Sequence, residues 1–305
     1  MESENLVQTE PQQIKPAIKY GWLRALVFLF ASIIASSIGQ AIGLVFVALI
    51  FGVDIMEAIQ DSGNVIKNFG VWSYFIVTLF GFLPMLLIVW VFRRFIDRKS
   101  FVSLGFEFKN YKSDFIQGMI WGIGLIAIGF FTLWIFGALT IEAIDFLPTT
   151  FLGYILLLFV VSLNEEIMVR GYLLNNLSDS VNKYIALFIT AAFFGIMHLG
   201  NPNVTVIGFV NIILAGVLLG IYYVHKQNLW FPIGIHFTWN FFQGPVFGFE
   251  VSGMDTVPII TQSIQGSELL TGGEFGFEAS LLATALMVLA IIVIHFQFKE
   301  KTIQT

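Results

Sequence analysis

Apolar side chains run through this chain in eight long blocks, at residues 22–51, 69–92, 115–139, 149–174, 184–199, 204–224, 229–247 and 279–298. A helix rises about 1.5 Å per residue, so about 20 apolar residues cross the ~30 Å hydrocarbon core of a bilayer. Backbone groups in lipid must be satisfied by helices or closed barrels, and long continuous runs rather than ten-residue alternation select helices. The pattern predicts an all-α polytopic membrane protein with about eight transmembrane helices. The block at 184–199 is short for a span and is expected to be partly re-entrant or to thin the bilayer locally.

The polar positions between the blocks set the orientation. Lys15, Lys19 and Arg24 precede or open the first block, and Arg93, Arg94, Arg98, Lys99, Lys109 and Lys112 follow the second. In an eight-span arrangement these fall on one side with Lys183, Lys226, Lys299 and Lys301, while the other side has only Lys67. The segment 248–278 carries Glu250, Asp255, Glu268, Glu274 and Glu278 and no Lys or Arg. The positive-inside rule therefore predicts that both termini are cytoplasmic. The expected organisation is a polar N-terminal tail at 1–20 and N-terminal transmembrane helices at 21–145. A core follows at 147–247, then an extracytoplasmic acidic loop at 248–278 and a last helix and tail at 279–305.

Composition agrees with a membrane-embedded chain. Of 305 residues, 57% are hydrophobic and 11% are charged, against about 25% charged in soluble domains. The absence of cysteine excludes disulfides, thiolate–metal sites and a cysteine nucleophile. Trp22, Trp72 and Trp230 suit interface anchors, Pro84 suits a kink, and Gly118, Gly122 and Gly124 suit close helix packing. The basic loop reads as a membrane-surface feature, and no nucleic-acid partner is expected. His225 and His295 lie at cytoplasmic helix ends and are not expected to be catalytic. No internal repeat of the kind common in transporters is visible.

The candidate chemistry lies in the later blocks. Glu165, Glu166 and Arg170 interrupt the apolar run at 151–174. A charged side chain near the bilayer centre costs roughly 2.5–3.5 kcal/mol on insertion scales, so such groups face a protein interior or a wet cavity. Glu166 and Arg170 are spaced i, i+4, the favourable order for an ion pair. Glu165 is about 100° away from Glu166 around the helix, so one carboxylate is expected to pair with Arg170 while the other turns into a cavity. His236 and Asn240 are also i, i+4 and share one helix face. With His198 they imply a polar pocket near the midplane or in the cytoplasmic half. A carboxylate, two imidazoles and an amide suit hydrolysis: a glutamate can act as general base, a histidine can assist it or bind metal, and His–Asn donors can stabilise an oxyanion.

These residues resemble the CAAX prenyl protease type 2 and bacteriocin-processing (CPBP, or ABI) family of intramembrane proteases. The resemblance spans about 149–247. It rests on E-E-x-x-x-R at Glu165, Glu166 and Arg170, F-x-x-x-H at Phe194 and His198, and H-x-x-x-N at His236 and Asn240. It implies that Glu165 acts with His198 on the attacking water and that His236 and Asn240 form the oxyanion hole. Glu166 and Arg170 would be an orienting pair, with Glu166 a further candidate participant, and Phe194 would pack the helix. It leaves two mechanisms open: metal-free glutamate catalysis, or Zn2+ held by Glu165, His198 and His236. The implied partner is a peptide or membrane-protein tail, prenylated or leader-like, reaching the site from the cytoplasm or laterally from the bilayer. The expected location is a multi-pass position in the membrane, the plasma membrane for a prokaryotic chain, and the oligomeric state is left open. Two other classes compete: a non-catalytic scaffold or immunity-type binding protein, and a proton-coupled transporter using the Glu and His residues as a relay.

Overall fold

The computed structural model describes residues 15–52, 54, 56 and 65–299. The expected polar tail at 1–14, Lys301 and the side chain of Lys67 lie outside the described residues. Eight apolar helical segments occur where the hydropathy pattern places them: α1 Gly21–Phe51, α2 Val65–Val91, α3 Lys112–Ile135, α4 Pro148–Glu166, α5 Lys183–Met197, α6 Val206–Lys226, α7 Trp230–Phe241 and α8 Leu281–Phe298. Three continue as wider π-helical turns, α2 through Phe92–Ile96, α4 through Ile167–Leu174 and α7 through Phe242–Val246. Among the described residues, six helical segments are long and apolar enough to cross a membrane, and the chain is an integral multi-pass membrane protein. α5, with 15 residues, and α7, with 12 before its π turns, are the shorter ones.

Local sequence accounts for the ends nearest the site. Pro148 opens α4 at a position where its missing N–H costs no helical bond. Asn182 caps α5 by accepting from the Tyr184 N–H at 2.9 Å. α5 then stops at His198, ahead of the turn-forming sequence Gly200-Asn201-Pro202. Fifteen residues span roughly 22 Å, less than the ~30 Å of a bilayer core, in keeping with the short block at 184–199.

The helices pack in pairs, α1 on α2, α3 on α7, and α6 on both α5 and α8. Glycine permits the closest of these approaches. A Cβ on Gly118 would meet the Phe231 carbonyl, and one on Gly122 would meet the Thr238 hydroxyl and the Ile235 carbonyl, so α3 and α7 touch backbone to backbone. Gly124 faces open space and does not share the packing role expected for it. The backbone break in α2 lies at Gly70, with φ 81° and ψ 156°, while Pro84 stays inside the helix. Trp22 and Trp72 are exposed as expected, but Trp230 is half-buried among Phe106, Phe108 and Phe115.

The two ends of the bundle differ in charge. At one end Ala17 N–H donates to Ile96 O at 2.7 Å, Arg98 to Lys15 O at 3.3 Å, Lys183 to Val224 O at 3.3 Å and Asn228 to Glu107 O at 2.8 Å. These contacts gather the basic segments on one side. Two of their arginines are not loop charges. Arg24 pairs with Asp97 at 3.1 Å and Asp179 at 2.6 Å, and Arg93 pairs with Asp97 at 2.9 Å, all three of Arg24, Arg93 and Asp97 being buried. His225 and His295 sit 3.1 Å apart at this same end.

At the opposite end two strands add a feature that an all-helical reading does not contain. β1 Leu139–Ile144 pairs antiparallel with β2 Ile260–Ile264, Leu139 opposite Ile264 and Ile144 opposite Ile260. Each strand is too short and too little alternating to stand out beside the hydrophobic blocks, and only the pairing of distant segments satisfies their backbones. Asn203 Nδ2 donates to Glu274 O at 3.4 Å and Asp145 N–H to Ile259 O at 2.9 Å, so the acidic loop folds back onto the helix ends.

Candidate active site

Glu165 and Glu166 end the regular part of α4, where the helix widens into π turns. Such turns recur at functional sites because they shift side chains out of the regular helical frame. All eight residues of the widened segment are buried. Glu166 has no exposed surface, and its Oε1 accepts from Arg170 Nη1 at 2.8 Å and lies 2.9 Å from His236 Nδ1. Arg170 also donates from Nη2 to Gly216 O at 3.0 Å, and its guanidinium lies 4.6 Å from the centre of the Phe194 ring. The charge of Arg170 is thus held by a carboxylate, a carbonyl and an aromatic face, the set that a buried cation requires.

Glu165 points elsewhere. Its side chain is 22% exposed, and Oε2 lies 3.8 Å from His236 Nε2. The two nitrogens of His236 therefore address two carboxylates. A carboxylate can only accept, so contact with Glu166 places a proton on Nδ1 and leaves Nε2 toward Glu165 and the cavity.

His198 caps the C-terminus of α5. Its Nδ1 lies 2.7 Å from Phe194 O, one of the carbonyls that the helix end leaves without an intrahelical partner. A carbonyl also only accepts, so Nδ1 carries the proton and Nε2 is left unprotonated in the neutral ring. The Phe194 ring packs against His198 at 4.7 Å and against His236 at 6.3 Å, centroid to centroid. Phe194 thus touches Arg170, His198 and His236, which is more than helix packing alone asks of it.

Glu165, His198, His236 and Asn240 line one cavity of about 370 Å³. They come from three helices, α4, α5 and α7, and Asn240 follows His236 by one turn on the same face. Glu166 and Arg170 stand behind this wall rather than in it. Among the described residues, no group of three His, Asp or Glu side chains is arranged to hold a metal ion. In the set of Glu165, His198 and His236, Nδ1 of each histidine is engaged by a carbonyl or carboxylate, Nε2 of each is left over, and Nε2 of His236 stands 3.8 Å from the Glu165 carboxylate.

The cavity has walls that sequence spacing did not reveal. Tyr74 of α2 and Tyr154 of α4 line it, and the Tyr154 hydroxyl accepts from Val257 N–H at 2.7 Å. Asn201, Ser252, Met254, Thr256 and Glu278 close it at the acidic end. Ser252 is the fulcrum of that closure, its N–H donating to the Glu278 carboxylate and its carbonyl accepting from Asn201 Nδ2 at 3.0 Å. Glu278 is buried, and burial raises its pKa above the usual carboxylate range, while the Ser252 N–H and the nearby His198 act in the other direction. The only sequence signal for Glu278 was its position, an acid directly before the last apolar block in a segment with no cation. From Glu165 and His236 the cavity extends toward the acidic end of the bundle, not the basic one.

Comparison with known families gives one match. Residues 146–242 fit the family described as Type II CAAX prenyl endopeptidase Rce1-like. The matched segment runs from the start of α4 to the end of α7 and includes every residue of the three motifs. No curated protein and no solved structure matches the chain.

Proposed function

We propose that this chain, whose residues 146–242 fit the Rce1-like type II CAAX prenyl endopeptidase family, is an intramembrane protease and that its cavity hydrolyses a peptide bond by glutamate-activated water. The observation that carries this reading is the convergence of Glu165, His198, His236 and Asn240, from three helices, on one cavity.

In this reading Glu165 is the general base. It is the carboxylate not committed to Arg170, and it is open to the cavity. Water held between Glu165 and the free Nε2 of His198 attacks the scissile carbonyl carbon and gives its proton to Glu165. The carbonyl π electrons move to oxygen, and Asn240 Nδ2–H stabilises that oxyanion. His236 adds a second donor from Nε2 when the ring carries both protons. Collapse of the tetrahedral centre breaks the C–N bond, and Glu165 returns the proton to the departing amine. A carboxylate and an amine result. Glu166 orients His236 through Nδ1, and Arg170 keeps Glu166 in place.

The zinc alternative would use the same Glu165, His198 and His236 donors, and no step here is routed through a metal. The substrate class that fits the family is a membrane-associated peptide, CAAX-like or leader-like.

The test is cleavage of a labelled peptide library by the purified protein in detergent, with and without chelator. Glu165→Gln and His198→Ala should each lower cleavage by about 10²–10⁴-fold, the usual contribution of general acid–base groups. Full cleavage by both variants would sink the assignment. Loss of activity in chelator, restored by zinc, would replace it with a metal mechanism. Partner binding that survives Glu165→Gln, with no cleavage by any form, would favour the scaffold reading.

A further inference from the structure

The side of the membrane from which the cavity is reached follows from two observations. The first is charge. The described lysine and arginine side chains gather at the end of the bundle formed by residues 15–24, 92–112, 183, 226 and 299, with Arg170 inside. The positive-inside rule makes that end cytoplasmic. The second is the cavity lining. Asn201, Ser252, Met254, Thr256 and Glu278 belong to the opposite, acidic end, and no residue of the basic end lines the cavity.

The lining also has a sign. Glu165 and Glu278 supply two carboxylates, and no Lys or Arg side chain faces the space. Arg170, the nearest cation, is satisfied behind the wall by Glu166 and Gly216. His198 lies within electrostatic range of Glu278, so its protonation would offset one of the two charges. The segment around the opening, with Glu250, Asp255, Glu268 and Glu274 and no Lys or Arg, extends the same potential outward.

We propose that the cavity receives its peptide from the acidic, extracytoplasmic end of the bundle, with a cationic group of the peptide set against Glu278. This rests on the protease reading of the same cavity and narrows its substrate to peptide segments displayed on the outer face. It differs from the two routes expected from the sequence, from the cytoplasm or laterally from the bilayer. Glu278 is hydrogen-bonded by Ser252 and Gln243, neither of them a cation, so a cationic group of the peptide adds the charge partner that they do not supply, and a peptide presenting a free carboxylate there meets like charge.

The chain has no cysteine, so single-cysteine variants report access directly. Met254→Cys, with Thr256→Cys as a second position should the first fail to fold, is treated in intact expressing cells with two bilayer-impermeant methanethiosulfonates, one bearing trimethylammonium and one bearing sulfonate. Lys109→Cys marks the basic end. Met254→Cys should react in intact cells, with the cationic reagent favoured about tenfold over the anionic one after correction for their rates on a free thiol. Adding Glu278→Gln should remove most of that preference. Lys109→Cys should react only after permeabilisation. Reaction of Met254→Cys or Thr256→Cys only after permeabilisation, no reaction from the outer face, or equal rates for the two reagents would each overturn the proposal. None of these readings uses proteolysis. If they fail while Glu165→Gln still abolishes cleavage, the approach side is wrong and the protease reading stands.

Discussion

His236 Nδ1 lies 2.9 Å from Glu166 Oε1, the same oxygen that accepts from Arg170 at 2.8 Å. One carboxylate thus fixes both a cation of its own helix and a histidine of α7, which packs directly against α4, while its neighbour Glu165 is left to the cavity. The division of labour between adjacent glutamates follows from the angular step of the helix and from the position of α7.

This shared oxygen makes stability and turnover separable. Glu166→Gln leaves the Arg170 charge buried without its carboxylate and should destabilise the protein by roughly 3–5 kcal/mol. The paired change Glu166→Leu with Arg170→Met removes both charges and should restore most of the thermal stability in detergent. Cleavage should stay lowered by about 10–100-fold, because His236 loses its orienting acceptor. Equal recovery of stability and activity would show that Glu166 has no orienting role.

Asn240 has a narrower task. If its amide meets only the oxyanion, Asn240→Ala should lower kcat by about 10²–10³-fold with little change in KM. Steady-state kinetics on any cleaved peptide checks this, and a change confined to KM would instead make Asn240 a substrate-binding group.

The α3–α7 contact holds His236 at its depth. Gly118→Ala would push a methyl group into the Phe231 carbonyl and should cost about 1–3 kcal/mol of stability. Gly124→Ala, on the same helix but facing open space, should be close to neutral. Thermal unfolding of the two variants side by side makes the comparison, and equal effects would contradict the packing described.

Glu278 gives a pH signature. Burial holds its folded-state pKa above the usual carboxylate range. The folded state therefore keeps the proton that the unfolded chain has lost. The group's stabilising contribution is complete below the ordinary carboxylate pKa and is lost as pH rises through the raised one. Relative to Glu278→Gln, the unaltered protein should lose stability as pH increases above the ordinary range, and a constant difference across pH would refute this.

Several features were legible without coordinates because they depend on composition over a run of residues. The eight apolar segments, the ion pair Glu166–Arg170 and the shared face of His236 and Asn240 all follow from helical period and chain length. The basic and acidic sides also follow, from charge alone. Other features were not legible, because they depend on segments far apart in sequence. Arg24 and Arg93 read as loop charges until Asp97 and Asp179 were seen to bury against them, and the β1–β2 ribbon joins segments more than a hundred residues apart.

The sequence by itself determined that this chain is helical and membrane-spanning, and it picked out the polar side chains buried in its later helices. It could do so because hydrophobic run length and i, i+4 spacing are properties of one helix at a time. The tertiary structure decided which carboxylate faces the cavity, that Phe194 links Arg170 with both histidines, and that Ser252 and Glu278 close the site from the acidic end. Those are distances between helices and loops, set by how closely backbones pack and by which buried polar atoms must find partners, and no local pattern encodes them.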